Sequence, residues 1–132
     1  MKKIIFLVIS GLLLVACSKK SEDSEFSNSL AFGTGLNPSN LFELVGQGTI
    51  FPASSTIYFR LESQEDMAGS SVMIKLNHLD GSLYNSYTFP SIQSYGHIYL
   101  TGFSVPDAGS YTAIGILVTG NKTVASQSLT IQ

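Results

Sequence analysis

The sequence predicts an all-β domain, an antiparallel β-sandwich of about seven or eight strands. Three observations predict it. From Leu30 onward, short runs alternate between apolar and polar residues, turn-forming residues separate the runs, and no segment sustains a helical period. Because alternation places every second side chain on one face of a strand, each run supplies one apolar face for a shared core.

The first sixteen residues have the composition of a cleaved leader. Lys2 and Lys3 precede an almost unbroken apolar run over residues 4–16. This order is typical of a secretory signal peptide, which is removed from the mature protein. A retained membrane helix is the alternative, but the run is shorter than the roughly 20 residues that a spanning helix needs. We therefore predict that residues 1–16 are a signal peptide.

The end of the leader, Leu14-Val15-Ala16-Cys17, resembles the lipobox of bacterial lipoproteins. The resemblance implies that a diacylglycerol is attached to Cys17, that cleavage follows Ala16, and that the new amino terminus is acylated. Ser18 follows the cysteine, where lipoproteins retained at the inner membrane often carry Asp. The resemblance therefore implies a lipid anchor in a bacterial membrane and, in a Gram-negative host, in the outer membrane, with the domain facing the periplasm or the surface. Cys17 is the one cysteine of the sequence, so an intramolecular disulfide is impossible.

The segment after the cysteine is predicted to be a spacer. Residues 18–25 are polar and charged without any period, a composition that buries too little apolar surface to fold. We predict that residues 17–29 form the lipidated cysteine and a flexible linker, and that residues 30–132 form the folded domain. That length suits a single domain.

The clearest strand is Thr56–Glu62, in which Ile57, Phe59 and Leu61 share one face. Turns are predicted at Asp80-Gly81 and Gly120-Asn121, where tight hairpins need a residue that accepts positive φ. The other predicted strands are Leu30–Gly35, Leu41–Val45 with Gln47–Phe51 as its continuation, Val72–Leu79, Leu83–Phe89, His97–Phe103, Ser110–Thr119 and Thr123–Ile131. The predicted core consists of Ile57, Phe59, Leu61, Val72, Ile74, Leu76, Ile98, Leu100, Tyr111, Ala113 and Leu117.

One interior motif sharpens the fold prediction. Asp107, Gly109 and Tyr111 form a D-x-G-x-Y pattern that resembles the start of strand F in immunoglobulin-like domains. The resemblance implies a tyrosine corner, in which the Tyr111 hydroxyl bonds back to the backbone. Ala113 stands where the antibody type has its second cysteine, and tryptophan is absent. The chain is therefore similar to the broader bacterial immunoglobulin-like or fibronectin-III-like class, with Leu83–Phe89 as strand C′ or D.

Composition and motifs argue against an enzyme. The sequence has seven basic and nine acidic residues. Removal of the predicted signal peptide with Lys2 and Lys3 leaves a formal charge of about −4, which disfavours nucleic acid as a partner because phosphate binding needs clustered Lys and Arg. His78 and His97 stand alone, without the spacing of metal ligands. No G-x-S-x-G elbow occurs. We predict no catalytic activity, no metal and no cofactor.

The tyrosines suggest one binding surface. By the same resemblance, Thr56–Glu62 is strand B and His97–Phe103 is strand E. If these two strands pair antiparallel, Tyr58 and Tyr99 project outward and Arg60 and His97 flank them. Tyrosine on a sheet offers a flat apolar ring with a polar tip, which suits a sugar or a protein. The alternative is that these tyrosines only pair across strands and bind nothing.

Three functions remain open at this point. The first is a non-catalytic binding or assembly module that meets a protein partner through a loop tip or an edge strand, with strand G (Thr123–Ile131) as the natural edge. The second is a carbohydrate-binding accessory lipoprotein that uses Tyr58 and Tyr99. The third is a secreted protease inhibitor.

Overall fold

The computed structural model describes residues 26–92 and 96–132, and within these ranges the chain forms ten β-strands and no helix. None of the described residues forms a helix with the length and apolarity that crossing a membrane requires. The predicted signal peptide, Cys17 and the linker as far as residue 25 lie outside the described residues. The strands are β1 (Ser29–Gly33), β2 (Gly35–Asn37), β3 (Asn40–Val45), β4 (Ile50–Phe51), β5 (Thr56–Glu62), β6 (Val72–His78), β7 (Leu83–Phe89), β8 (Ile98–Ser104), β9 (Gly109–Leu117) and β10 (Lys122–Ile131).

Two sheets form the sandwich, and a separate hairpin lies on one of them. The three-stranded sheet has the order β1-β5-β8, and the five-stranded sheet has the order β4-β10-β9-β6-β7. Pairing is antiparallel except between β4 and β10, which run parallel. The predicted all-β sandwich is confirmed. Strand β7 pairs with β6 and thus takes the C′ position.

The hydrophobic core lies between the two sheets. Ile57, Phe59 and Leu61 of β5 are all 0% exposed, because every second side chain of this strand points at the five-stranded sheet. Burial of a large apolar side chain contributes about 1.5–3 kcal/mol, so this row is a major source of stability. The same cluster includes Leu30, Phe32, Val72, Ile74, Leu76, Tyr99, Phe103, Tyr111, Ala113, Leu117, Leu129 and Ile131.

The segment between β1 and β5 departs from the prediction. Strands β2 and β3 form a hairpin outside the sandwich, on the outer face of the three-stranded sheet, where Arg60 Nε donates to the carbonyl oxygen of Phe42 at 2.9 Å. The predicted continuation through Gln47–Phe51 is wrong. The chain turns at Gly46, whose φ is +61° and whose Cβ, if present, would lie 2.1 Å from Thr34 Oγ1.

The predicted inward face of β8 is also wrong. Leu61 of β5 pairs with Tyr99, and Phe59 pairs with Thr101, so Tyr99 rather than Ile98 or Leu100 shares the core face. Leu100 is 5% exposed, yet it lies opposite Arg60 on the outer face that the hairpin covers. Ile98 is half-buried on that same face. Since apolar side chains are buried on both faces of β8, the order of apolar residues along this strand does not reveal which face points into the core.

A glycine allows the two sheets to approach closely. Gly115 lies on β9, and a Cβ atom at this position would sit 2.6 Å from Leu61 Cδ1. The side chain of Leu61 therefore occupies the space that any larger residue at position 115 would need.

We expect Gly115→Ala to lower the free energy of unfolding by about 1–3 kcal/mol, the usual cost of overpacking a core. Urea denaturation followed by circular dichroism measures this change. Gly48→Ala is the matched control, because nothing lies within 4 Å of its added Cβ, and we expect its stability to stay level or rise by up to about 1 kcal/mol. Equal effects at the two positions would contradict the close approach of Leu61.

Candidate functional site

The structure separates the four residues predicted to form one binding surface. Tyr99 is 2% exposed and faces the core, where its ring stacks parallel to that of Phe59 with centroids 6.0 Å apart. Its hydroxyl donates to the carbonyl oxygen of Pro90 at 2.6 Å. The prediction that Tyr99 projects outward is therefore wrong, because the register of β8 is the opposite of the one assumed.

Tyr58 and Arg60 do lie on the outer face of β5, but both serve the fold there. The ring of Tyr58 covers Gly102, since a Cβ on Gly102 would lie 3.2 Å from Tyr58 Cε1. Arg60 bonds to the Phe42 carbonyl oxygen and, through its terminal nitrogen, to Glu62 Oε1 at 2.9 Å. Arg60 thus holds the β2–β3 hairpin against the sheet.

His97 lies just before β8, at the end of the sandwich. Its Nδ1 is 3.0 Å from the carbonyl oxygen of Ser63, and its ring stacks on that of Phe26 with centroids 4.0 Å apart and planes 4° from parallel. The predicted set of Tyr58, Arg60, His97 and Tyr99 therefore occupies three places rather than one surface.

Residues 26–29, which the sequence analysis placed in the linker, are bound to the domain. The backbone N–H and the hydroxyl of Ser27 both donate to Glu62 Oε2, at 2.7 and 2.9 Å. Asn28 Oδ1 accepts the backbone N–H of Gln64 at 2.8 Å. Phe26 and these polar residues carry no alternating pattern, so sequence periodicity gave no signal for contacts that rest on hydrogen bonds and one ring stack.

The Ser27 contact changes the acidity of Glu62. The backbone N–H of Ser27 lowers the pKa of Glu62 below its ordinary value of 4.5, and Arg60 adds to the effect while partial burial opposes it. Because the pKa of Glu62 is lower in the folded state than in the unfolded state, its ionised carboxylate contributes stability at pH values above the unfolded-state pKa. This stability is lost as the pH falls through the folded-state pKa.

Asp107 lies between β8 and β9, at the predicted tyrosine corner, and links that corner to strand β7. The Tyr111 hydroxyl donates to the backbone carbonyl oxygen of Asp107 at 2.8 Å, and Gly109 begins β9 beside that ring. The Asp107 carboxylate accepts the Tyr84 hydroxyl at 2.5 Å. This bond is the main reason why the pKa of Tyr84 rises to about 12. Burial, followed by the nearby Asp107 charge, raises the pKa of Tyr111.

Beyond this corner, the β6–β7 turn presents two exposed leucines. We call residues Leu79–Leu83 the distal tip. Leu79 is 74% exposed and Leu83 is 56% exposed. Between them, Asp80 Oδ1 accepts both the backbone N–H and the hydroxyl of Ser82, at 2.9 and 2.6 Å, which fixes the turn and lowers the pKa of Asp80. Both leucines are predicted as strand residues. The sequence signal for their exposure is their position directly beside the tight turn at Asp80-Gly81.

An aromatic cluster supports the distal tip from below. The Tyr84 ring lies 4.8 Å from Tyr111 and 5.6 Å from His78. Since Tyr84 is also fixed by Asp107, the tip stands on a base whose side chains are held in place.

The edge of β10, the predicted docking strand, is protected. At its end, the Thr130 N–H donates to Thr49 at 2.7 Å. Two residues earlier, the Ser128 N–H is capped by Oε1 of the adjacent Gln127 at 2.9 Å, and a bulge disturbs residues 123–125. An incoming strand needs a regular row of donors and acceptors, so this geometry disfavours β10 as a docking edge.

The opposite edge of the five-stranded sheet uses the same device. On β7, the backbone N–H of Ser86 donates to Asn85 Oδ1 at 2.8 Å. At both edges, then, the amide side chain of the preceding residue accepts a backbone donor.

The surface recesses are small. A recess of about 300 Å³ lies beneath the β2–β3 hairpin, lined by Ala31, Glu43, Leu44, Gln47 and Arg60. This volume is at the lower end of the roughly 300–1,000 Å³ usual for small-molecule sites. In the part of the chain that the structure describes, no group of three or more His, Cys, Asp or Glu residues is placed to share a metal ion.

Comparison with known proteins identifies the fold. A crystal structure of an immunoglobulin-like protein from Pseudomonas aeruginosa matches with a TM-score of 0.51 and 11% identity, covering 83% of this chain and 98% of that one. A CARDB domain from Pyrococcus furiosus, solved with di-metal ions, matches at 12% identity over 82% and 90% of the two chains, with a TM-score of 0.30 that is too low to carry an argument. No family model and no curated protein matches the sequence. The domain is thus an immunoglobulin-like β-sandwich, and at this identity the likeness concerns the fold alone.

We expect Ser27→Pro, which removes the backbone N–H that Glu62 accepts, to raise the pKa of Glu62 toward 4.5. Ser27→Ala is the control, because it removes only the hydroxyl and should raise the pKa less. NMR titration of the Glu62 carboxyl measures both. The loss of unfolding free energy in acid should also shrink in Ser27→Pro. A Glu62 pKa that is the same in both variants and the wild type would show that residue 27 does not hold this carboxylate.

Proposed function

We propose that the protein is a membrane-anchored lipoprotein whose immunoglobulin-like domain is a non-catalytic binding or assembly module, and that the distal tip receives a protein partner. The observation that carries the proposal is the pair Leu79 and Leu83, 74% and 56% exposed on a turn whose backbone is fixed by Asp80. Exposed apolar side chains on a rigid support bind a partner with little loss of conformational entropy.

The distal tip and the amino-terminal segment lie at opposite ends of the sandwich. Ser27 bonds to Glu62, at the end of β5. At the other end of β5, the backbone N–H of Ser54 donates to the carbonyl oxygen of Val105. Two residues further along the chain, Asp107 accepts the hydroxyl of Tyr84, which lies beside the tip. Seven strand residues separate these ends by about 20 Å. A chain anchored through Cys17 would therefore carry the tip away from the bilayer.

A protein partner suits the tip better than a sugar. Interfaces concentrate their binding energy in a few apolar and aromatic anchors within a polar rim, and the tip places two leucines above the cluster of His78, Tyr84 and Tyr111. The glycan site required Tyr58 and Tyr99 on one face, which the orientation of Tyr99 prevents.

The tyrosines with raised pKa values have structural roles, which suits a non-catalytic domain. The two tyrosines with raised pKa values are hydrogen-bonded within the fold, both to Asp107. Neutral, hydrogen-bonded phenols of this kind position strands. We therefore assign them to the scaffold that supports the tip.

We expect Cys17→Ser to leave the protein unlipidated and to move it from the membrane fraction to the soluble fraction, because several acyl chains hold a protein stably at a bilayer. Fractionation and mass spectrometry of the mature amino-terminal peptide measure the two effects. Ser18→Ala is the control and should stay in the membrane. An amino-terminal peptide without acyl mass in the wild type would contradict the anchor.

We expect a photo-reactive amino acid at position 83 to crosslink the partner in intact cells, and the same group at Ser126, on the exposed edge of β10, to give no crosslink. The Leu79→Ser substitution should abolish crosslinking from position 83, because it removes the neighbouring anchor while leaving the strands intact. Immunoblotting for a shifted band measures all three. A crosslinked band from position 126, with none from position 83, would show that the partner binds at the sheet edge and not at the distal tip.

A further inference from the structure

An apolar corner surrounds the point where the described chain begins. Phe26 stacks on His97, and together with Phe42, Gly96 and Ile98 they line a recess of about 160 Å³. We call these five residues and the adjacent Leu41 the amino-terminal corner. Leu41 is 63% exposed and Phe42 is 43% exposed. Phe42 lines the recess beside Phe26, and Leu41, the preceding residue of β3, points to the opposite face of the hairpin.

The length of chain before Phe26 limits how far this corner stands from Cys17. The eight residues 18–25 separate the two. Their full extension spans at most about 32 Å. A folded domain of this size has a radius of gyration of about 13 Å. A lipid on Cys17 therefore keeps the amino-terminal corner nearer to the bilayer than the rest of the domain.

The charges around the corner are compatible with a membrane surface. Arg60 pairs with Glu62, and Lys122 pairs with Glu65, so four of the charged groups at this end are matched. Paired charges cost less to bring toward a low-dielectric surface than isolated ones. Asp66 lies close to Gly96, its Oδ1 being 3.9 Å from the position of a Cβ there. Glu43, on the same face of β3 as Leu41, accepts a hydrogen bond from Asn37 Nδ2 at 3.0 Å. These two carboxylates limit insertion to the headgroup level.

We propose that the amino-terminal corner rests on the bilayer that holds the lipid anchor, with Leu41 and Phe42 in the interfacial layer. This inference rests on the lipid anchor of the proposed function. Apolar and aromatic side chains favour this layer, where rings meet both acyl chains and water. The contact fixes the orientation of the domain, since the opposite end then points away from the membrane.

The chain offers a direct test, because its one cysteine is the proposed lipid site. Leu41→Cys and Leu83→Cys each add one free thiol for a nitroxide spin label at a site of similar exposure, 63% and 56%. Val45→Cys, on the same face of β3 and 42% exposed, serves as a control within the hairpin. The processed full-length protein is reconstituted into vesicles of phosphatidylethanolamine and phosphatidylglycerol. Collision of the label with oxygen and with a water-soluble nickel chelate is then measured by power saturation.

We expect the label at position 41 to lose most of its collisions with the nickel chelate and to gain collisions with oxygen when vesicles are added. Positions 45 and 83 should change little. Flotation of the same samples reports the anchor separately. A protein that floats with position 41 still open to the nickel chelate overturns the orientation alone. A protein that does not float overturns the anchor and the orientation together. Loss of collisions with both reagents at position 41 indicates a second copy or another protein on the corner and overturns the lipid contact.

Discussion

The pairing of β5 with β8 fixes which side chains of the three-stranded sheet enter the core. Leu61 and Phe59 face the five-stranded sheet, so their partners Tyr99 and Thr101 share that face and Leu100 is turned outward. An outward leucine in solvent would lose the benefit of burial, and the β2–β3 hairpin removes this cost by covering it. Arg60 bonds the hairpin in place through the Phe42 carbonyl oxygen. The register between β5 and β8 thus explains both the packing of the core and the presence of the covering β2–β3 hairpin.

The same pairing of β5 with β8 explains which strands could be predicted correctly from the sequence and which could not. Thr56–Glu62 and Leu83–Phe89 were predicted with the bounds that the structure shows. The first alternates between apolar and polar residues, and the second is delimited by the Asp80-Gly81 turn and by Pro90. Strand β8 was assigned the wrong face because Ile98, Tyr99 and Leu100 are apolar in succession. The hairpin was mistaken for a strand of the sandwich, since periodicity cannot state which sheet a strand joins.

The candidate surfaces were harder to predict than the strands for a related reason. The outward position of Tyr99 followed from an assumed register, and a shift of one residue reverses every side chain. Ser27 and Asn28 reach the domain through hydrogen bonds alone, which leave no mark on hydropathy. The two leucines of the distal tip were visible in the sequence, but their exposure depends on where β6 ends, at His78.

The caps on Ser86 and Ser128 have a consequence for crowding. Proteins confined to a plane meet their neighbours at a far higher effective concentration than proteins free in three dimensions, and uncapped sheet edges would join side by side into extended ribbons. Asn85 and Gln127 each consume a donor that such a ribbon would need. On the membrane of the proposed function, these two uncharged amide groups would hinder neighbouring copies from pairing edge to edge, without the mutual repulsion that charged edges would bring.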